Sequence, residues 1–166
     1  MNANSLHSDP ATGLLDRTDR RLLAALQADG QASLQALAAQ VHLSSAQVHR
    51  RVRRLEEVGV IRGYTTLVDR EHLGLDVVAF VGFSLAAEQN KQLREIEQRI
   101  NAFAEVVEVY TVSGEHDYLV KVLARDLRSL SGFLSEQLMQ IPGVLNVKTT
   151  ICLEELKNSP HLPLEE

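Results

Sequence analysis

The chain has 166 residues, 45% of them hydrophobic and 23% charged, a balance that suits a folded globular protein and excludes a disordered or collagen-like one. No apolar run approaches the roughly 20 residues that a membrane-spanning helix needs, and a single cysteine, Cys152, leaves neither an internal disulfide nor a cysteine-rich zinc site. The net charge of −5 conceals an asymmetry that bears on partners: Asp16 to Gly63 holds eight arginines against five acids, whereas Tyr64 onward holds nine lysines and arginines against sixteen acids.

A basic head on an acidic body suits a phosphate-binding module joined to a part that does not bind nucleic acid. Residues 1–14 (MNANSLHSDPATGL) are polar and aperiodic and are expected to be a disordered lead-in. The first positive charge is Arg17 with no apolar segment behind it, which is not the layout of a secretory signal, so a cytoplasmic location is expected. From Asp16 to Ala28, Leu22, Leu23 and Leu26 recur at helical spacing until Asp29-Gly30 stops the pattern. Ser33 is placed to cap a second helix with Leu34, Leu37, Ala38 and Val41 on one face. After a break at His42-Leu43, Ser44 and Gln47 have capping-box spacing and open a third helix, whose apolar stripe is Val48, Val52 and Leu55. Three helices over 15–63, the last two separated by a tight turn, have the layout of a winged-type helix-turn-helix domain.

Beyond Val60 the pattern changes. Ile61 to Val68 is rich in Thr, Tyr and Val, and 64–74 reads as a linker strand. Residues 75–157 then alternate strand and helix signals: a strand over Val77–Leu85, a helix through Leu93, Ile96, Ile100 and Phe103, strands at Val106–Val112 and Tyr118–Leu123 about a short turn, a helix through Leu127 to Leu138 stopped by Pro142-Gly143, and a last strand from Val144 to Leu153. Cys152, inside that run, reads as a small buried apolar residue. The order β-α-β-β-α-β predicts an α+β fold, a ferredoxin-like sandwich with helices on one face of an antiparallel sheet. Residues 158–166 are left as a C-terminal tail.

With Val48, Val52 and Leu55 turned inward, the third helix presents Gln47, Arg50 and Arg51 where base edges lie in a major groove; Arg pairs bidentately with guanine and Gln with adenine. Ser44, Ser45 and Arg54 are expected to meet phosphates, aided by the helix N-terminus. The competing reading is a solvated charged helix face. A two-fold symmetric DNA site needs two such helices, which makes a homodimer the smallest working unit. An exposed sheet face on a small α/β domain also needs covering, which a second copy would supply.

In order along the chain, LDRTDRRLLAALQADG, LAAQVHLSSAQVHRRVRRLEEVGVIRGY, VVAFVGFSL, VYTVSGEHDYLVKV and IPGVLNVKTT resemble the leucine-responsive and asparagine-operon regulators, the Lrp/AsnC family, over about Leu15 to Leu164. The resemblance implies a transcription regulator that binds double-stranded DNA and uses no cofactor. It also implies sensor domains that pair into dimers and assemble further, to tetramers or octamers, with a small effector, an amino acid, held between them. One departure is His42, where the family mostly has Gly at a position that takes positive φ; this His reads as structural rather than as a metal ligand.

The segment Ser113 to Tyr118 resembles the family's effector loop, which implies that Gly114 and Asp117, with His116 between them, belong to the ligand site. A carboxylate suits an α-ammonium group and a glycine permits close approach. The same two residues also read as ordinary turn residues. Thr149 and Thr150 resemble final-strand positions that complete the pocket. Two other functions compete. An architectural protein that wraps DNA would use the same arginines. An enzyme would need a phosphate loop, a metal cluster or an activated nucleophile, none of which the sequence displays, so no catalytic role is expected.

Overall fold

The computed structural model of the chain describes residues 15–86 and 93–164; the expected lead-in, 1–14, lies outside them. The chain divides into two compact units, one formed by the residues up to Thr66 with those from Asn158 on, the other running from Leu67 to Lys157.

The first unit holds three helices, α1 (Arg17–Ala28), α2 (Leu34–Val41) and α3 (Ser45–Glu57). Each begins where a side chain satisfies backbone N–H groups that a helix start leaves open. Asp16 and Asp19 close a reciprocal capping box on α1, the Asp19 N–H donating to Asp16 Oδ1 at 2.7 Å. Ser33 accepts from the Ala36 N–H at 3.2 Å on α2. Ser44 and Gln47 repeat the reciprocal box on α3. The α2–α3 turn passes through His42 at φ 55°, ψ 45°, the left-handed conformation that the sequence departure puts at issue. Leu22, Leu37, Val48 and Leu55, all but excluded from solvent, form the core between the helices. Residues of the expected separate tail return to this core: Leu164 packs against it, and the Gln27 side-chain amide both donates to the Leu162 carbonyl at 3.1 Å and accepts from the Leu162 N–H at 2.6 Å.

The expected linker strand at 64–74 is absent. Residues 64–69 have no ladder, and Asp69 Oδ1 accepts from the N–H groups of Glu71 and His72, turning 71–73 into a short 3₁₀ helix. Thr and Val give a segment the propensity to extend, but a strand exists only where a neighbour satisfies its backbone groups, and propensity does not supply one.

In the second unit, β1 (Val77–Leu85), α4 (Leu93–Asn101), β2 (Val106–Thr111), β3 (Tyr118–Ala124), α5 (Leu127–Glu136) and β4 (Val144–Ile151) follow in order. The sheet order is β2-β3-β1-β4 with antiparallel pairing throughout, the ferredoxin-like topology expected. Ala79, Val81 and Phe83 of β1 and Val120 and Val122 of β3 point to one face, where Ile96 and Ile100 of α4 and Leu130 and Phe133 of α5 cover them. Phe83 stacks on Tyr118 with ring centroids 5.3 Å apart, and Phe103 meets Phe133 edge-on at 5.4 Å. Burying one such ring contributes about 1.5 to 3 kcal/mol.

The helix expected up to Leu138 breaks after Glu136, and Leu138–Gln140 form a 3₁₀ turn. The tighter i, i+3 spacing lets Leu138 and Ile141 both reach the core. The last strand ends at Ile151, so Cys152 lies just past it, half-buried, its Sγ donating to the Glu154 carbonyl. No helix among the described residues is long and apolar enough to cross a membrane.

Candidate nucleic-acid interface and effector loop

On α3, Val48 and Leu55 are buried and Val52 is half-buried, as the stripe requires. The arginines divide in a way that the stripe alone does not reveal. Arg51 and Arg54 lie beside it on the flank that meets the start of α1. Arg51 Nη1 donates to Asp16 Oδ2 and to Asp19 Oδ1, both at 2.7 Å. Arg54 Nη2 donates to the other Asp19 oxygen. Asp19 is wholly buried, and its two oxygens accept from both guanidiniums and from the Asp16 N–H. The Asp19 backbone N–H, then the Arg51 guanidinium, holds the Asp16 carboxyl below its ordinary pKa. The same contacts, Asp16 first, raise the pKa of Arg51.

Arg51, expected at base edges, and Arg54, expected at phosphates, are thus both engaged within the fold. Gln47 is likewise held in its capping box, Oε1 accepting from the Ser44 N–H at 3.0 Å. Arg50 remains exposed with no ion pair among the described residues, and Ser44 and the half-buried Ser45 stand at the start of the helix. The exposed face also carries Ala46, His49 and Arg53, which sequence reasoning passed over. Placing residues 100° apart around α3 would have found all three, because they fall outside the apolar stripe and on one side of Arg50, away from Arg51 and Arg54. Arg53 pairs with Glu57 at 3.0 Å across one helical turn.

In the second unit, residues 112–117 connect β2 to β3 and close against the end of β1. Gly114 sits at φ 132°, a conformation that a side chain would strain. The Asp117 N–H donates to the Phe83 carbonyl at 3.1 Å, and its Oδ2 accepts from the Leu85 N–H at 2.9 Å. Asp117 is exposed, and its second oxygen has no hydrogen bond among the described residues. Asp117 thus acts as a turn residue through one oxygen and leaves the other without a described donor.

His116 folds over Gly82 on the sheet face away from the helices. A Cβ built at Gly82 would lie 2.3 Å from the imidazole, so glycine is the residue that admits the ring. The buried Nδ1 of His116 has no hydrogen-bond partner among the described residues. Glu115 pairs with Lys148 of β4 at 3.3 Å. The two threonines separate: Thr150 pairs with Phe80 and shares the helix-free face with Gly82 and His116, whereas Thr149 pairs with Val81 and points to the core side. Adjacent strand residues alternate faces, so only Thr150 lies on the side of the loop.

Residues 15–56 match the AsnC-type helix-turn-helix domain, and residues 78–162 match the Lrp/AsnC ligand binding domain. The chain belongs to the Lrp/AsnC family. It is 34% identical to the transcriptional regulator AzlB of Bacillus subtilis over 92% of this chain and 98% of that one. It is 35% identical to the leucine-responsive regulatory protein of Escherichia coli over 91% of this chain and 92% of that one. A transcriptional regulator of Neisseria meningitidis, solved as a complex with L-methionine, superimposes with a TM-score of 0.86 at 29% identity, covering 90% of this chain and 97% of that one. The feast or famine regulatory protein of Mycobacterium tuberculosis, also solved with L-methionine, gives 0.81 at 33% identity over 90% and 99%. The chain is a DNA-binding transcription regulator of the Lrp/AsnC type, with the two-domain α+β architecture that its sequence predicts.

Proposed function

We propose that this regulator answers to a free amino acid held at the 113–117 loop, and that its working unit is a homodimer or a larger homo-oligomer acting in the cytoplasm without catalysis. The observation that carries the reading is Asp117: its loop is pinned to β1 through one carboxylate oxygen while the other is exposed and unoccupied by any described donor. A fixed carboxylate of this kind suits an α-ammonium group. Gly114 leaves the adjacent backbone open to a ligand, and Thr150 adds a hydroxyl on the helix-free face over which His116 folds. Two structural relatives were solved with L-methionine, which supports an amino acid as the ligand class. Phe80 and Tyr110, large and partly exposed on the helix-free face, support a second copy as its cover. At the other unit we assign the DNA-facing surface to α3, centred on Arg50, with Ser44 and Ser45 toward phosphate.

The test is a thermal-shift screen against the twenty amino acids, since a ligand that binds only the folded state raises the melting temperature, by about 2.7 kcal/mol of stability at a hundred times its Kd. Asp117→Asn retains an acceptor for the Leu85 N–H and removes the charge. We expect a selective hit in the parent protein and none in Asp117→Asn at an unchanged unliganded melting temperature. An equal shift in both proteins removes Asp117 from the site, and a flat screen in the parent removes the amino-acid effector.

A further inference from the structure

Four arginines, at 50, 51, 53 and 54, give α3 the look of a strongly cationic helix. Most of that charge is cancelled before DNA arrives. Arg53 has Glu57, and Arg51 and Arg54 share two carboxylates, Asp16 and Asp19, of which Asp19 is fully buried. Arg51 retains 27% side-chain exposure and Arg54 42%, so both border solvent while their charge is directed inward. A surface pair such as Arg53–Glu57 exchanges readily with a competing phosphate. A guanidinium held by a buried carboxylate does not, because leaving would strand that carboxylate in the interior.

We propose that Asp19 is a specificity-determining residue for DNA binding. It withholds Arg51 and Arg54 from phosphates and so suppresses sequence-independent affinity, leaving base discrimination to the exposed face around Arg50. The inference rests on the assignment of α3 as the DNA-facing helix. Its physical content is that non-specific binding scales with the number of phosphates neutralised, whereas base contacts carry the sequence preference. An α3 with four free arginines would adhere to any duplex; one with two of them neutralised from within depends on contacts that read sequence. Asp19 touches no DNA in this account. It acts as a positioning residue through the two arginines.

The experiment measures the salt dependence of binding by the full-length protein to a random-sequence duplex, and to the tightest duplex selected from a randomised library. Asp19→Asn frees one or two guanidiniums. The expected result is tighter binding to random DNA, a log–log salt slope steeper by about 0.9 to 1.8, and a lower ratio of selected to random affinity. A slope that stays put in a folded variant, or affinity that falls equally on both duplexes, overturns the inference and leaves Asp19 a purely structural residue. Should Asp19→Asn fail to fold, Arg51→Gln carries the test. Its charge is already spent internally, so the slope should not change, and a fall of about 0.9 would mark Arg51 as a phosphate contact and overturn the inference. Arg50→Ala separates the inference from the assignment beneath it. If that variant loses selectivity while Asp19→Asn is silent, only the inference fails; if Arg50→Ala is silent as well, α3 is not the DNA-facing helix.

Discussion

Gly82 and His116 are far apart in sequence and share one volume of space, which makes their identities interdependent. A methyl at position 82 would overlap the imidazole, and the ring, being the freer partner, must yield. We expect Gly82→Ala to destabilise the protein by about 1 to 3 kcal/mol, the usual penalty of overpacking. Adding His116→Ala should restore most of it, as a double-mutant cycle by thermal unfolding would show. Additive effects would mean that the ring is not what Gly82 accommodates. This pair also marks the limit of what is legible in a sequence. Gly114 and Asp117 stand out through the family loop that they resemble, but nothing in the order of residues says that His116 lies against a glycine of another strand. The internal pairing of Arg51 and Arg54 is hidden from the sequence for a related reason. Periodicity assigns residues to helix faces, while their engagement by Asp16 and Asp19, some 35 positions away, is a tertiary fact. What a helical wheel does decide, the exposure of Ala46, His49 and Arg53, was available and missed.

Among elements, the helices were the most legible, because their starts are written in local chemistry: Asp16, Ser33 and Ser44 each cap the helix they precede. The linker was the least legible, since a strand is a relation between segments. The α2–α3 turn lies between these cases. His42 occupies the left-handed region, where an L side chain is crowded against the following carbonyl. His42→Gly relieves that crowding at the expense of a more flexible unfolded chain, and we expect a net gain of about 0.5 to 1 kcal/mol, read as a higher melting temperature of the helical unit. A loss of stability would show that the imidazole supplies contacts exceeding the backbone strain. Asn146, at φ 52°, places the same conformation inside β4, near the irregularity between Gly82 and Ser84 in the pairing with β1. Asn tolerates this better than most residues.

For the molecule as a whole, each unit holds a tyrosine whose pKa is raised and a carboxyl whose pKa is lowered, so both limbs of the pH range bear on stability. Burial, then the hydrogen bond from its hydroxyl to Glu97 Oε1 at 2.9 Å, pushes the Tyr118 phenol up to about 12. A folded pKa above the unfolded one contributes stability that is complete below about pH 10 and is lost as pH rises from there toward 12. On the acid side Asp16 behaves oppositely: its lowered pKa contributes stability above the unfolded value near 4, lost as pH falls further. We expect the sensor unit to lose stability first in base, followed by near-ultraviolet circular dichroism. Tyr118→Phe should remove much of that alkaline decline while lowering neutral-pH stability by about 1 kcal/mol through the lost hydrogen bond. An unchanged alkaline limb would place its origin elsewhere.

The Gln27 clamp on Leu162 and the seating of Leu164 carry a consequence for biosynthesis. Helices α1 to α3 emerge first from the ribosome, yet part of their packing is supplied by residues made only after the entire sensor. Completion of the DNA-binding unit is thereby tied to completion of the sensor, so a chain interrupted before residue 158 yields an operator-reading head that lacks its final contacts.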